Sequence, residues 1–159
     1  MGEIAVFKTE FVDRTKEILL NYEGEYKLSN AINCMLGLLI LPYENVRNNP
    51  DTFWDTDLNA IPDFPAFRIH VFQPVHKVKK GGIIEYYPKT LRVFLQKIRN
   101  GLAHQHIRPV NTNGRFTRVV IENYFDPDNR NILDMEVEFT RKQLEKFALF
   151  IADEYLKRP

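Results

Sequence analysis

Arg99-Asn100-Gly101-Leu102-Ala103-His104 holds side chains that can handle a phosphate ester. Arginine stays protonated and offers phosphate oxygens a fork of donors. Histidine titrates near neutrality and can serve as base or acid. The stripe Leu91, Phe94, Leu95, Ile98 and Leu102 predicts a helix that starts near Thr90, after Pro88. At about 100° per residue the stripe centres between Leu95 and Ile98, with Arg99 on its flank. Asn100 and His104, four apart, share the opposite, outward face. The core needs none of the three. Gly101 costs roughly 1 kcal/mol of helix propensity relative to Ala, so it marks a close approach, of a partner backbone or of a substrate phosphate. A plainer role for His104 is to cap the helix end, where the dipole favours a cation.

Neighbouring side chains extend the set. Arg92 lies two turns before Arg99 on the same flank, with Lys97 between them and His106 and Arg108 just beyond. Val93, apolar yet on the outward face, is what an interface residue would be. Between Lys77 and Arg118 ten basic side chains face one acid, Glu85; that segment carries +9 and leaves −8 for the rest of a chain of net charge +1. Such asymmetry is either the footprint of a polyanion partner or a basic stretch balanced by acidic neighbours. His70, His76, His104 and His106 with Cys34 match no compact zinc motif, and no metal or cofactor is expected. Cys34 reads as a small buried hydrophobe, and Trp54 as core rather than a base-stacking platform.

The elements that must position these residues follow from periodicity. A first helix is predicted from about Thr9 to Tyr22, and a second, apolar almost all round and therefore central, from about Tyr26 to Leu41. Pro42 is expected to stop it. Residues 43–89 lack a clean period and hold five prolines among aromatics that suit packing over the helices. Short strands are possible at Phe67–Val71 and Gly82–Tyr86. After a turn over Val110–Arg115, a hairpin should pair a strand near Arg115–Asn123 with the alternating segment Leu133–Phe139, joined through 126–129. Thr140 and Gln143 fit a capping box that opens the last helix.

The order helix, buried helix, insert, Arg-Asn-x-x-x-His helix, final helix resembles the HEPN superfamily, in particular its small stand-alone bacterial and plasmid members. Arg14-Thr15, Tyr26, Gly37-Leu38-Leu39-Ile40-Leu41-Pro42 and Ile98 to His104 carry the resemblance. It implies one HEPN-like domain over 1–159. The implied fold is mainly α: a four-helix up-and-down bundle with a β-hairpin between the third and fourth helices and a long irregular insert between the second and third. It further implies a homodimeric, metal-independent endoribonuclease, possible in toxin–antitoxin or defence settings, in which RNA supplies its own 2′-OH nucleophile. Arg99 would hold the phosphate and stabilise the transition state, His104 would be the general acid/base, and Asn100 would orient His104 or bind phosphate. Arg92, Lys97, His106 and Arg108 would contact RNA. A partner antitoxin or inhibitor protein fits this setting, as does the alternative of a non-catalytic RNA-binding or protein-interaction module.

Composition agrees with a globular chain. The 159 residues are 44% hydrophobic and 27% charged, wrong for disorder, and one cysteine excludes an internal disulfide framework. The N-terminal segment has no signal-peptide pattern, and the apolar run Cys34–Leu41 is too short for a bilayer, so a cytoplasmic, non-membrane protein is expected.

Overall fold

The amphipathic segments fold as their periods dictate, but they pack on a sheet. The computed structural model describes residues 2–125 and 132–158, apart from the side chains of residues 2–8 and 41. Helix α1 spans Gly2–Asn21, and α2 spans Lys27–Met35. A π turn at Leu36–Ile40 then leads without a break into α3, Leu41–Val46. Helix α4 is Leu91–Ala103 and α5 is Arg141–Lys157.

The strands number six among the described residues: β1 (Arg68–Phe72), β2 (Val75–Val78), β3 (Ile84–Tyr86), β4 (Ile107–Thr112), β5 (Arg115–Phe125) and β6 (Ile132–Thr140). Four of them form an antiparallel sheet in the order β1-β6-β5-β4, and β2 and β3 form a separate ribbon. This corrects the expected up-and-down helical bundle. The molecule is a two-layer α+β structure, with the helices on one face of the sheet. Val119, Ile121, Met135, Val137 and Phe139 point into that layer and are buried. The other face carries Arg118, Glu122, Glu136 and Glu138, the polar-out side of a half-exposed sheet.

Local signals are met. Thr140 accepts from Gln143 N while its own N–H donates to Gln143 Oε1, at 3.3 and 3.0 Å. The expected hairpin is present as β5 and β6, aligned from Arg118↔Thr140 to Phe125↔Ile132; the connection read at 126–129 lies outside the described residues. The turn read at 110–115 is tighter. Only Asn113 and Gly114 turn, with φ of 52° and 78°, the two positive angles of a type I′ hairpin, and strand continues on both sides.

Non-local pairing accounts for the differences. The 43–89 segment is not irregular: it contributes β1, which docks on β6 from Arg68↔Glu138 to Phe72↔Met135, and the β2–β3 ribbon. Its aromatics do fill the core. Phe67 contacts Phe94, Phe139 and Phe147, with centroids 5.8, 4.5 and 5.2 Å away, and Trp54 is fully buried. Pro42 does not stop the second helix. Its ring would strike the carbonyl four residues back and it lacks an N–H. The wider π turn makes room, and Pro42 falls in the first turn of α3, where a missing N–H is tolerated. One apolar cluster runs from Val12 in α1 to Tyr155 in α5.

Candidate functional site

The site is built where α4 ends. Thr90 caps its start, the hydroxyl accepting from Val93 N at 3.3 Å. At the other end His104 is the C-cap. Gln105 N donates to Leu102 O at 3.1 Å and His106 N to Gly101 O at 2.8 Å, the two crossed bonds of a Schellman motif. That motif requires a left-handed residue after the cap. Gln105 supplies it with φ of 59°, a conformation usually left to glycine. The chain then passes at once into the sheet, with Glu122 N donating to His106 O at 2.9 Å.

This tight reversal sets two imidazoles side by side. The rings of His104 and His106 lie 6.0 Å apart, centroid to centroid, at an interplanar angle of 33°. Both residues are exposed. Among the described residues the His104 ring has no hydrogen-bond or ion-pair partner. His106 meets the ring of Tyr124 edge-on at 5.2 Å. Tyr124 donates its hydroxyl to Glu122 Oε2 at 2.7 Å, and Arg108 Nε donates to Glu122 Oε1 at 3.2 Å. The Tyr124 bond, followed by Arg108, holds the Glu122 carboxyl below its ordinary range against the opposing effect of burial. The same bond to Glu122, with burial, pushes the Tyr124 phenol up.

One turn back, Arg99 Nε donates to Glu44 Oε1 at 3.0 Å and its Nη1 to Asn100 Oδ1 at 3.3 Å. Glu44 reaches Arg99 only because the second helix continues past Pro42. Arg99 and Glu44 both stay partly open to solvent. Asn100 makes no hydrogen bond to the His104 ring; its side chain serves Arg99 instead, and its backbone carbonyl accepts from His104 N at 3.0 Å.

Gly101 does admit a backbone, but one of the same chain. A Cβ there would sit 2.4 Å from Glu122 O and 3.1 Å from Ile121 Cγ2, so the glycine seats α4 on β5 and does not face solvent. Three other residues also point elsewhere. Arg92 grips Asp55 with Nε and Nη2 at 2.8 and 2.9 Å and caps the carbonyls of Val46 and Asn49, closing the 46–55 stretch. Its fork lowers the Asp55 pKa. Lys97 is 5% exposed, with its ammonium 2.9 Å from Asp134 and 3.2 Å from Val75 O. Val93 is buried as well. Periodicity placed Val93 outward and left Arg92 and Lys97 free for a partner because it cannot see a cover supplied by a distant segment. Arg108 is exposed on β4, paired with Glu122 and, at 4.0 Å, with Glu136.

Sequence reading missed Glu44, Glu122 and Tyr124. Glu122 stood on a predicted strand that ended near Asn123, one residue short of Tyr124, and only the β4–β5 pairing sets the two beside His106. Cys34 is buried, and burial raises its thiol pKa. Among the described residues, no three His, Cys, Asp or Glu side chains gather into a ligand set for a metal ion, and no helix is long and apolar enough to cross a membrane.

The basic segment is largely answered by the rest of the chain. Lys77 and Lys79 pair with Glu85, Arg118 with Glu138, and Arg92, Lys97, Arg99 and Arg108 with the carboxylates already named. No ion pair engages Lys80, Lys89 or Arg115 among the described residues. No curated protein and no solved structure matches the chain. A family model does: HEPN pEK499 p136, over residues 1–159. With the Arg99, Asn100 and His104 spacing on α4, that full-length match makes this chain a member of the HEPN pEK499 p136 family, within the HEPN superfamily.

Proposed function

We propose that the protein is an endoribonuclease that needs no metal and works as a homodimer, with the ends of two α4 helices facing one cleft. One observation carries this reading. The Arg99 guanidinium, partly open to solvent, and an exposed His104 imidazole with no hydrogen bond among the described residues both come from the last turns of one helix. A C2 axis would double both groups automatically. The substrate 2′-OH gives its proton to an imidazole as O2′ bonds to phosphorus. The P–O5′ bond breaks, and O5′ takes a proton from an imidazolium. The products are a 2′,3′-cyclic phosphate and a 5′-hydroxyl. Arg99 faces the charge that builds on the phosphorane. Glu44 holds Arg99 through Nε and Asn100 holds it through Nη1, which leaves Nη2 to turn toward a phosphate. A toxin or defence role with an inhibitor partner suits such an activity.

A second reading has one observation in its favour. Most cations of the basic segment are already paired within the chain, as in a non-catalytic RNA-binding or protein-interaction module. The test is incubation of purified protein with mixed RNA in EDTA, beside His104→Ala and Arg99→Ala. The expected outcome is cleavage by the wild type, with each variant slower by about 100-fold or more. RNA binding without cleavage would favour the module. Activity abolished by chelator and restored by a divalent metal would reject the metal-free mechanism. Sizing in solution tests the dimer.

A further inference from the structure

On the ribonuclease reading of the α4 end, on which this rests, we propose that His106 of the same chain is the acid/base partner of His104, so that each subunit holds a complete pair. The Schellman turn is what makes this possible. Residues two apart straddling a helix end would ordinarily diverge. The left-handed Gln105 folds the chain back, and the rings stand 6.0 Å apart, tilted by 33°. Two rings so placed can both turn a nitrogen toward one phosphate at their shared edge, and catalysis requires each nitrogen within about 2.6–3.2 Å of the oxygen whose proton it moves.

Further features agree. Both rings are exposed, and neither is held by a hydrogen bond from its own chain among the described residues. Holding a non-glycine residue at positive φ costs stability, and such strain gathers at functional sites. The charged and titratable groups around the pair are Arg99 on α4, Arg108 on β4, Glu122 and Tyr124 on β5, and Glu136 on β6. Of these, Tyr124 touches the His106 ring, Glu122 joins Tyr124 to Arg108, and Arg99 is held by Glu44 and Asn100. One imidazole accepts the 2′-OH proton while the O2′–P bond forms. The other, as imidazolium, protonates O5′ while the P–O5′ bond breaks. The two proton positions are then reversed relative to the start, and water exchanges them before the next turnover.

The experiment compares wild type, His104→Ala, His106→Ala, His106→Gln and the double alanine variant, in EDTA, on one RNA at several pH values. The expected result is a bell-shaped profile for the wild type. His106→Ala and His106→Gln should fall as far as His104→Ala, about 100-fold or more, each variant losing one limb of the bell. The double variant should fall little further, because the two groups act as a unit. Added imidazole should restore part of the His106→Ala activity, which loss of a structural contact would not allow. Mixed subunits of the two single variants should stay inactive, because no chain then carries both rings. Full activity in both His106 variants, with His104→Ala dead, overturns the same-chain pair and leaves the ribonuclease reading standing. Recovery on mixing places the pair across two subunits and also overturns it. A wild type that binds RNA and never cleaves it removes the reading beneath.

Discussion

A single hydrogen in place of a methyl group decides how α4 meets β5. At Gly101 the added carbon would press on the Glu122 carbonyl at 2.4 Å, and a backbone atom cannot swing aside as a side chain can. Gly101→Ala is therefore expected to lower stability by about 1–3 kcal/mol or more, read from the urea midpoint. Cleavage should fall with it, because His106 hangs its N–H on the Gly101 carbonyl. The cost of this glycine in a helix was visible in the sequence, and so was the demand for a close approach. What approached was not, because Glu122 lies twenty-one residues away in the chain and in another element. The same holds for Arg99. Its flank position was readable from helix geometry, while its grip by Glu44 depends on a helix running through a proline.

Elements are tied together by one buried ion pair. The register shift between Asn123 and Tyr124 lets β6 turn Asp134 inward. There Asp134 receives Lys97 of α4 at 2.9 Å, Asn123 of β5 at 2.6 Å and the Val75 N–H of β2 at 3.1 Å. The Lys97 ammonium also lies over the Tyr87 ring at 5.5 Å. Removing one partner leaves a desolvated charge alone. Asp134→Ala or Lys97→Met should each cost about 3–5 kcal/mol in chemical denaturation, and the pair replaced together should recover a good part of that. A double variant no more stable than the worse single one would contradict the coupling. Local rules revealed the helix start near Thr90, the Thr140 capping box, a turn within 110–115 and the alternation of β6, since each depends on neighbours in sequence. They could not reveal that 68–72 would join β6, which requires a partner seventy residues on.

At the scale of the whole molecule the charge map has been spent inwardly. Nine net positive charges in 77–118 would suggest a strongly salt-dependent grip on RNA, with a slope of log affinity against log salt of about −6 for a single strand. Yet Lys80, Lys89 and Arg115 are the cations of that segment without an ion pair among the described residues, and Arg99 offers a phosphate only the part of its fork that Glu44 and Asn100 leave. Fluorescence anisotropy across a salt series should therefore give about −2 to −3 per subunit. A slope near −6 would mean that the internal pairs open on binding and that Arg92 and Arg108 reach the strand after all.

The placement of β1 has a last consequence. By lying against β6, residues 68–72 cover much of a nine-residue strand with a five-residue one, so the edge left bare on that side is short and recruits the same edge of another copy less readily. Trimming the chain to its helices and hairpin would thus not distil it to a minimal enzyme. It would unpick the selvage of the fabric, and what remained would knit to itself.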